Sequence, residues 1–521
     1  MTIKNLYFTL LYLKPIQLFF QVVYKFKRKK YLTESLYNVK VNNNIKASSL
    51  YRDYINYLGN NTFKFLSLEK KFENEIDWSF SDFGKLWNYN LEYFDFLDQQ
   101  NISSCEKRRL IKEFYSFSCN EQRRLEPYPV SLRSINVIKF LLREKEDKSE
   151  FHNYLFQELD FLHNNYEYHI LGNHFLENAF ALVLGGAYFF EDKWHLKAKE
   201  ILYKQLEEQI LGDGAHFELS PMYHSIILFR LLELIEWYSY YDRKDEYFFI
   251  FCKEKASEMV AWLQNIKFKN NDVPLFNDCA NGITYSSLNL ISYAEKLGIQ
   301  FVNKTLNESG YRSYHNDNYE IKVDLAEIGA SYQPGHGHAD ALSFILYENG
   351  VPLFVEQGTS TYQKGKRRDK ERSTQAHNTV TVYNSNQSEV WDGFRVAKRA
   401  KVSIHKEHSN FYEASHDGYK RYKIIHNRKF HFSTNKILIK DHLSKNGSAI
   451  FYLHLHPQCT VLKLNDFSFL VNKSIKISFE GASNASIEEY DYSEIYNTYK
   501  IAERIIVSFE KELSSVIIFE R

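Results

Sequence analysis

Ile321-Lys322-Val323-Asp324-Leu325-Ala326-Glu327-Ile328 marks the point at which the chain changes its period. Apolar residues begin to alternate there, which places them on one face of an extended strand. Upstream, over residues 77–297, apolar residues recur at helical spacing, and helices are expected at 86–97, 131–142, 178–190, 226–240 and 248–262. Downstream, strands are expected at 341–347, 352–356, 379–383, 423–432, 436–441 and 448–456, with hairpin turns at Asn349-Gly350 and Asn446-Gly447. A helical half followed by an antiparallel half, without strand–helix alternation, reads as an α+β multidomain chain. The expected division is an N-terminal extension over 1–72, a helical domain over 73–314 and a β domain over 315–521.

Bulk properties agree with two large domains. At 521 residues the chain is too long for one compact core, and 44% hydrophobic with 25% charged residues is a globular composition. Aromatic residues reach 17%, largely as a codon bias toward Phe and Tyr would give, with sugar-stacking platforms as a secondary reading. A net charge of +1 provides no field to hold a phosphate backbone, so nucleic acid is excluded as a partner. Five scattered cysteines without a CxxC spacing indicate reduced thiols, neither a disulfide framework nor a thiolate metal cluster.

The first thirty residues join two apolar runs, 6–13 and 16–24, broken by Lys14-Pro15 and followed by Lys25-Phe26-Lys27-Arg28-Lys29-Lys30. A secretory signal would place its charge before one unbroken apolar core and end in small residues. The expectation is therefore a cytoplasmic protein without a membrane span, since no run of about 20 apolar residues occurs. The apolar-then-basic order suits contact with an anionic membrane surface, and equally a helix packed on the main body.

Chemistry-bearing residues gather in three places. Gly335-His336-Gly337-His338-Ala339-Asp340, Glu356-Gln357-Gly358 and Arg372-Ser373-Thr374-Gln375-Ala376-His377-Asn378 concentrate histidines, acids and glycines, the raw material of a metal site or of proton transfer. In Asn173-His174-Phe175-Leu176-Glu177, helical spacing puts three polar side chains on one face. Ser220-Pro221-Met222-Tyr223-His224 reads as a helix start with Ser220 as N-cap and Pro221 in the first turn. Tyr223 then sits at the positive end of the helix dipole, which favours a phenolate or a bound carboxylate.

With Leu86-Trp87-Asn88-Tyr89-Asn90-Leu91-Glu92-Tyr93-Phe94 and Tyr128-Pro129-Val130-Ser131-Leu132-Arg133, these motifs resemble the heparinase II/III-like polysaccharide lyases, a superfamily that includes alginate and oligoalginate lyases. The resemblance runs from about residue 87 onward and implies an incomplete (α/α) toroid followed by an antiparallel β-sandwich-type domain. It also implies β-elimination at a uronic acid. Asn173 and His174 would neutralise the uronate carboxylate, Tyr223 would serve as acid, base or both, and His336 as a second catalytic group. Glu177 would lie in the same cleft and orient His174, and Arg133 and Arg372 would bind substrate.

The family's structural zinc, held by two histidines and an aspartate, corresponds to His338, Glu356 and His377, with Glu in place of Asp. A tight turn at Asn349-Gly350 would set Glu356 opposite Ser343, so the 335–340 segment must curl back for the three to meet. The implied partner is an acidic polysaccharide, in the setting of bacterial surface-polysaccharide metabolism. Two other readings are a non-catalytic glycan-binding or assembly protein and a glycoside hydrolase. The hydrolase would need facing carboxylates, for which Glu177, Glu218 and Asp278 are the candidates.

Overall fold

The computed structural model describes residues 3–27, 30–35, 37–51, 55–144, 149–302 and 304–520. Two short helices, α1 (Ile3–Leu10) and α2 (Pro15–Phe26), come first and break at the expected Lys14-Pro15. Arg28 and Lys29 of the basic run lie outside the described residues. A small antiparallel sheet follows, β1 (Tyr57–Gly59), β2 (Thr62–Phe65) and β3 (Leu68–Lys71). Leu32, Ile45, Tyr57, Phe63, Phe65 and Phe72 are buried in the same core as the helices that follow. The segment after residue 30 is thus part of the helical domain, and the expected extension over 1–72 is corrected to the first two helices.

The helical domain is built from α3 (Lys85–Tyr93), α4 (Ser104–Asn120), α5 (Pro127–Arg143), α6 (Ser149–His163), α7 (Gly172–Phe189), α8 (Asp192–Gln209), α9 (Pro221–Ser239), α10 (Glu246–Ile266) and α11 (Ser287–Lys296). Odd-numbered helices pack successively on one another, and the even-numbered ones lie outside them, giving an incomplete (α/α) toroid. Sequence explains the layering. Of α7, every residue except His174 is buried, and α9 is covered almost as fully, so both are enclosed on all sides, with their few polar residues paired inside; α4 is buried along one stripe only. Side-chain caps start several of these helices, with Ser103, Ser220, Asp245 and Ser286 accepting from backbone N–H groups of the first turn.

A layer of buried ion pairs crosses the inner helices. Lys139 bridges Asp98 and Glu233, each at 2.7 Å, and Arg143 reaches Asp98 at 2.8 Å. Arg133 belongs to this layer. Its Nε donates to Glu158 at 2.8 Å and its Nη1 to the Glu92 carbonyl at 3.1 Å, with 1% of its surface exposed. The expectation that Arg133 binds substrate is therefore overturned: a side chain that must neutralise Glu158 has no donor left for the cleft.

The β domain begins at β4 (Tyr311–His315), slightly before the expected boundary, and continues with β5 (Tyr319–Asp324), β6 (Phe344–Glu348) and β7 (Val351–Phe354) as one four-stranded sheet. After the single helical turns of α12 (Lys366–Glu371) come β8 (Val380–Val382) and the hairpin β9 (Val390–Trp391) and β10 (Arg395–Val396). The strands β11 (Val402–His408), β12 (Phe411–His416), β13 (His426–Ser433), β14 (Lys436–Leu443), β15 (Ala449–His454), β16 (Val461–Asn465), β17 (Ser468–Val471), β18 (Ile475–Glu480), β19 (Asn484–Tyr492), β20 (Lys500–Phe509) and β21 (Glu512–Phe519) complete it. An eight-stranded sheet ordered β11-β12-β13-β14-β21-β18-β17-β16 faces a four-stranded sheet ordered β19-β20-β15-β8. Phe344, Phe430, Ile437, Phe451, Ile477 and Ile505 fill a second core shared by the sheets.

Asn349-Gly350 forms the β6–β7 hairpin, with φ of +49° and +78° at its two turn residues. Asn446-Gly447 does not form a hairpin. β14 pairs with β13 and β21 while β15 pairs with β8 and β20, so this turn carries the chain from one sheet to the other. Replacing Arg133 tests the buried layer. Arg133→Ala leaves Glu158 uncompensated and is expected to destabilise the helical domain by about 3–5 kcal/mol, read as a lowered urea midpoint; an unchanged midpoint would return Arg133 to the cleft.

Candidate active site

Asn173 and His174 sit in the first turn of α7, behind an irregular entry. Leu171 has φ +64° and ψ −148°, a conformation rare for a side chain of its size, and Gly172 follows at φ +58°. A Cβ at Gly172 would stand 2.7 Å from Glu218 Oε1, so only glycine lets that carboxylate approach. Glu218 accepts from the Asn173 backbone N–H at 3.1 Å and from Nδ2 at 2.9 Å. That fixes the amide orientation and leaves the buried Oδ1 without a hydrogen-bond partner among the described residues.

His174 stacks on Tyr128 with ring centroids 4.0 Å apart, and its Nδ1 lies 3.1 Å from Glu167 Oε1. Burial opposes a charge on this ring, but the Glu167 carboxylate and its hydrogen bond outweigh that, holding the His174 pKa above the usual imidazole value. The orienting acid is therefore Glu167. Glu177, expected in that role, is buried beside the cavity with its carboxylate 3.1 Å from Arg230 Nε. Glu167 belongs to the loop between α6 and α7, where a polar run Asn164-Asn165-Tyr166-Glu167 was the available signal.

Tyr223 opens α9 as the cap pattern requires, with the Ser220 hydroxyl accepting its backbone N–H at 3.3 Å. Leu219, just before the cap, is held at φ +56° by two donors to its carbonyl, Tyr311 Oη at 2.5 Å and Asn277 Nδ2 at 3.1 Å. The Tyr223 ring stacks on His336 at 3.9 Å, and its hydroxyl is 3.0 Å from that of Tyr362. Burial, reinforced by Tyr496, raises the Tyr223 pKa well above its ordinary value. Desolvation thus favours the phenol over the phenolate that the helix start suggested.

The loop carrying His336 is anchored on Asp278. Its Oδ2 lies 2.9 Å from His336 Nδ1, its Oδ1 lies 2.9 Å from His338 Nε2, and the Arg368 guanidinium grips both oxygens. Burial works against ionisation of Asp278, but Arg368 and the two histidines hold its pKa well below the usual carboxylate range. An ionised carboxylate only accepts, so each histidine must donate to it. In the neutral imidazole His336 thereby keeps its lone pair on Nε2, and His338 keeps its own on Nδ1. Arg372, expected to bind substrate, is buried and donates to the Gly337 carbonyl at 2.8 Å and to Pro334 at 3.4 Å. It supports the backbone that presents His336.

Behind this loop, nitrogen and oxygen atoms of His338, Asp340 and His377 come within 4.8 Å of one another. The 335–340 segment does curl back, and Ser343 Oγ does donate to Glu356 Oε1 at 2.7 Å. The acid that meets both histidines is Asp340, which corrects the expected His338–Glu356–His377 set. Glu356, drawn toward Ser343, stands behind His377, with Oε2 2.9 Å from Nδ1 but outside hydrogen-bond geometry. His338 Nδ1, Asp340 Oδ2, Glu356 Oε2 and both His377 nitrogens are buried without hydrogen-bond partners among the described residues. Burial lowers the His338 pKa to about 3 and raises that of Asp340 to about 7. A neutral histidine with a free Nδ1, fixed from behind by a carboxylate, is what a divalent metal requires, and orphaned buried donors of this kind fit one.

Asn173, His174, Tyr223 and His336 all face one cavity of about 910 Å³ between the two domains. Its walls include Tyr89, Tyr93, Tyr128, Tyr285, Tyr362 and Phe394. Sequence reading missed Glu167 and Tyr362, and named Glu218 and Asp278 only as candidate hydrolase acids. Tyr362, Glu218 and Asp278 each act through a neighbour far away in the chain, which no local motif records, whereas Glu167 lies only seven residues before His174.

A family model described as heparinase II/III N-terminus matches residues 132–298, and one described as heparinase II/III-like, C-terminal, matches residues 302–519. Two curated relatives are both named heparin-sulfate lyase. That of Bacteroides stercoris is 25% identical over 248 residues, 42% of this chain and 37% of the relative. That of Pedobacter heparinus is 24% identical over 267 residues, 46% of this chain and 40% of the relative. The matched stretch thus spans about two fifths of each relative's length. A crystal structure of heparinase III superposes with a TM-score of 0.70 at 17% identity, covering 97% of this chain and 91% of that one. A mutant heparan sulfate lyase from Pedobacter heparinus gives 0.60 at 16% identity, covering 97% and 88%. At these identities the likeness is one of fold.

Proposed function

The chain belongs to the heparinase II/III-like family, and from that premise we propose that it is a polysaccharide lyase cleaving a uronic-acid-containing glycan by β-elimination. The observation that carries this reading is the meeting of Asn173, His174, Tyr223 and His336 in one interdomain cavity. The proton removed from the uronate ring lies next to a carboxylate and is only weakly acidic until that carboxylate is neutralised. His174, biased toward the imidazolium by Glu167, supplies a cation, and Asn173 supplies the Nδ2–H not engaged by Glu218. His336, with Nδ1–H held by Asp278, has Nε2 free to take the ring proton. Tyr223, kept protonated by burial, donates to the glycosidic oxygen as it leaves. Tyr362 holds the Tyr223 hydroxyl in position.

The substrate reading follows from charge. Most of the charge of the cations on the cavity wall is already matched: Lys85 pairs with Glu126 and Arg230 with Glu177, while Lys364 and Arg395 share Asp392. That supports a glycan whose main charge is the uronate, more than a densely sulfated one. A hydrolase is less well supported. It needs a carboxylic acid with a raised pKa facing a second carboxylate, and Asp278 is held ionised by Arg368 and two histidines.

The metal belongs to the same proposal. His338, Asp340 and His377 would hold a divalent ion, zinc by donor type, with Glu356 behind His377. Its contribution would be structural, tying the loop of His336 to the 377 segment; the proton transfers belong to the side chains already named. The setting proposed is bacterial surface-polysaccharide metabolism, at or near a membrane contacted by residues 1–30.

Three outcomes check this reading. Tyr223→Phe should fold normally and lose about 10²–10⁴-fold in turnover, measured as ultraviolet absorbance of the unsaturated uronate product on a panel of uronate glycans; near-wild-type elimination would sink the mechanism. Glu167→Gln removes the charge that raises the His174 pKa. Because the imidazolium is the active form and is lost as pH rises through that pKa, the alkaline limb of kcat/KM should move to lower pH; an unmoved limb would place the neutralising charge elsewhere. Zinc added to chelator-treated protein should raise the thermal midpoint of the wild type and not of Asp340→Ala; equal shifts, or none in either, would remove the metal.

A further inference from the structure

Helices α1 and α2 turn their apolar side outward. The inner side is anchored at both domains. On the helical domain, the buried Gln17 donates to the Ile170 carbonyl at 3.0 Å, Phe20 stacks on Tyr168 at 4.6 Å, and Tyr24 donates to the Tyr166 carbonyl. On the β domain, Trp391 Nε1 donates to Thr9 Oγ1 at 3.2 Å, and the Arg399 guanidinium lies over Tyr12 at 3.8 Å. These contacts fix which side faces out. That side carries Phe19, Val22 and Phe26, exposed by 63%, 57% and 83%. Their three- and four-residue spacing makes one stripe along α2, joined by the exposed Tyr7 on α1 and Leu11 just past its end.

Charge selects what covers the stripe. Residues 1–33 contain seven Lys or Arg and no Asp or Glu, in a chain of net charge +1, so the remainder is net acidic. Lys25 is exposed in the last turn of α2, beside Phe26, and Lys30 is exposed just beyond it. A second copy of this chain would have to bring the same basic segment against itself in a symmetric contact, which like charges oppose. An anionic lipid surface meets both features at once. The two helices are bent by 112° at Lys14-Pro15, and neither alone is long and apolar enough to cross a bilayer; with one side of each anchored on the protein body, the pair would lie along the interface.

We propose that α1 and α2 dock this protein on an anionic lipid surface, with the catalytic cavity directly behind them. The side of the pair turned away from the lipid lines that cavity through Leu6, Thr9, Leu10, Leu13, Gln17 and Gln21, in company with His174 and His336. Moreover, α2 rests on the loop that carries Glu167, while α1 rests on the β9–β10 hairpin, whose Phe394 meets the edge of His336 at 6.2 Å. A glycan reaching the site would therefore be one displayed at the membrane, an inference that rests on reading the cavity as the lyase site; the docking itself does not.

The test is co-sedimentation of the full chain with vesicles. Vesicles containing phosphatidylglycerol should carry the protein down at low salt and release it as salt is raised, because the Debye length shrinks from ~30 Å at 0.01 M to ~10 Å at 0.1 M. Pure phosphatidylcholine vesicles should retain little. Phe19→Glu/Val22→Glu/Phe26→Glu should weaken binding by at least about tenfold while keeping the wild-type thermal midpoint, since these side chains make none of the anchoring hydrogen bonds. Lys25→Glu/Lys30→Glu, which leaves the stripe intact, should weaken binding to the anionic vesicles alone. Wild type remaining in the supernatant, or the triple variant binding as wild type does, would overturn the proposal. So would light scattering that finds a wild-type dimer broken by the triple variant, which would assign the stripe to self-association. Vesicle binding without unsaturated product from any uronate glycan would keep the docking and sink the lyase reading.

Discussion

One buried carboxylate organises the junction between the two domains. Asp278 leaves the helical domain in an irregular segment, yet its two oxygens are shared among His336, His338 and Arg368 of the β domain. The arrangement fixes the tautomers of both histidines and so assigns a task to each: His336 turns a lone pair toward the cavity and His338 turns one toward the His377 cluster. An anion this deep is tolerable only because its partners saturate it. Replacing Asp278 by a neutral isostere would therefore release His336 and His338 together, one on each side of the loop.

The catalytic helices obey a related constraint. Both α7 and α9 begin after a leucine in a positive-φ conformation, Leu171 and Leu219, and both bring a polar residue into the cavity within their first turn. Unusual backbone at such points persists when surrounding contacts over-determine it. For Leu219 those contacts are the two donors to its carbonyl, and for the α7 entry they are Glu218 and the space left by Gly172. The buried layer around Lys139, Arg133 and Asp98 gives the inner helices fixed partners, so the first turns are held on a firm frame.

Much of this was legible in the sequence wherever the cause was local. The change of period at residue 321 located the domain junction to within about ten residues, the first strand starting at Tyr311. The Ser220-Pro221 start placed Tyr223, and Asn349-Gly350 placed a hairpin. What failed was non-local. Arg133 looked like a substrate ligand because its motif does not show that Glu158, on the next helix, claims its charge. Arg372 was misread for the same reason, its acceptors being the backbone of the His336 loop. Glu356 yielded its place to Asp340 because the curl of residues 335–340, forced by no single residue, decides which acid meets the histidines. Asn446-Gly447 has the composition of a hairpin turn and instead changes sheets, which only the pairing of its flanking strands decides.

The wall of the cavity is made of pieces far apart in the chain, from α1, the α6–α7 loop, the start of α9, the segment of Asp278 and the β-domain loops. A chain that folds domain by domain from its first residue completes the helical ring before the strands that bear His336 exist. The toroid therefore passes through a stage in which its own half of the constellation is exposed and inert, with Asp278 lacking every partner that later surrounds it. The full constellation exists only once the interface closes, as a property of assembly that neither half possesses. In a chain made in this order, the junction around Asp278 is among the later parts of the structure to form.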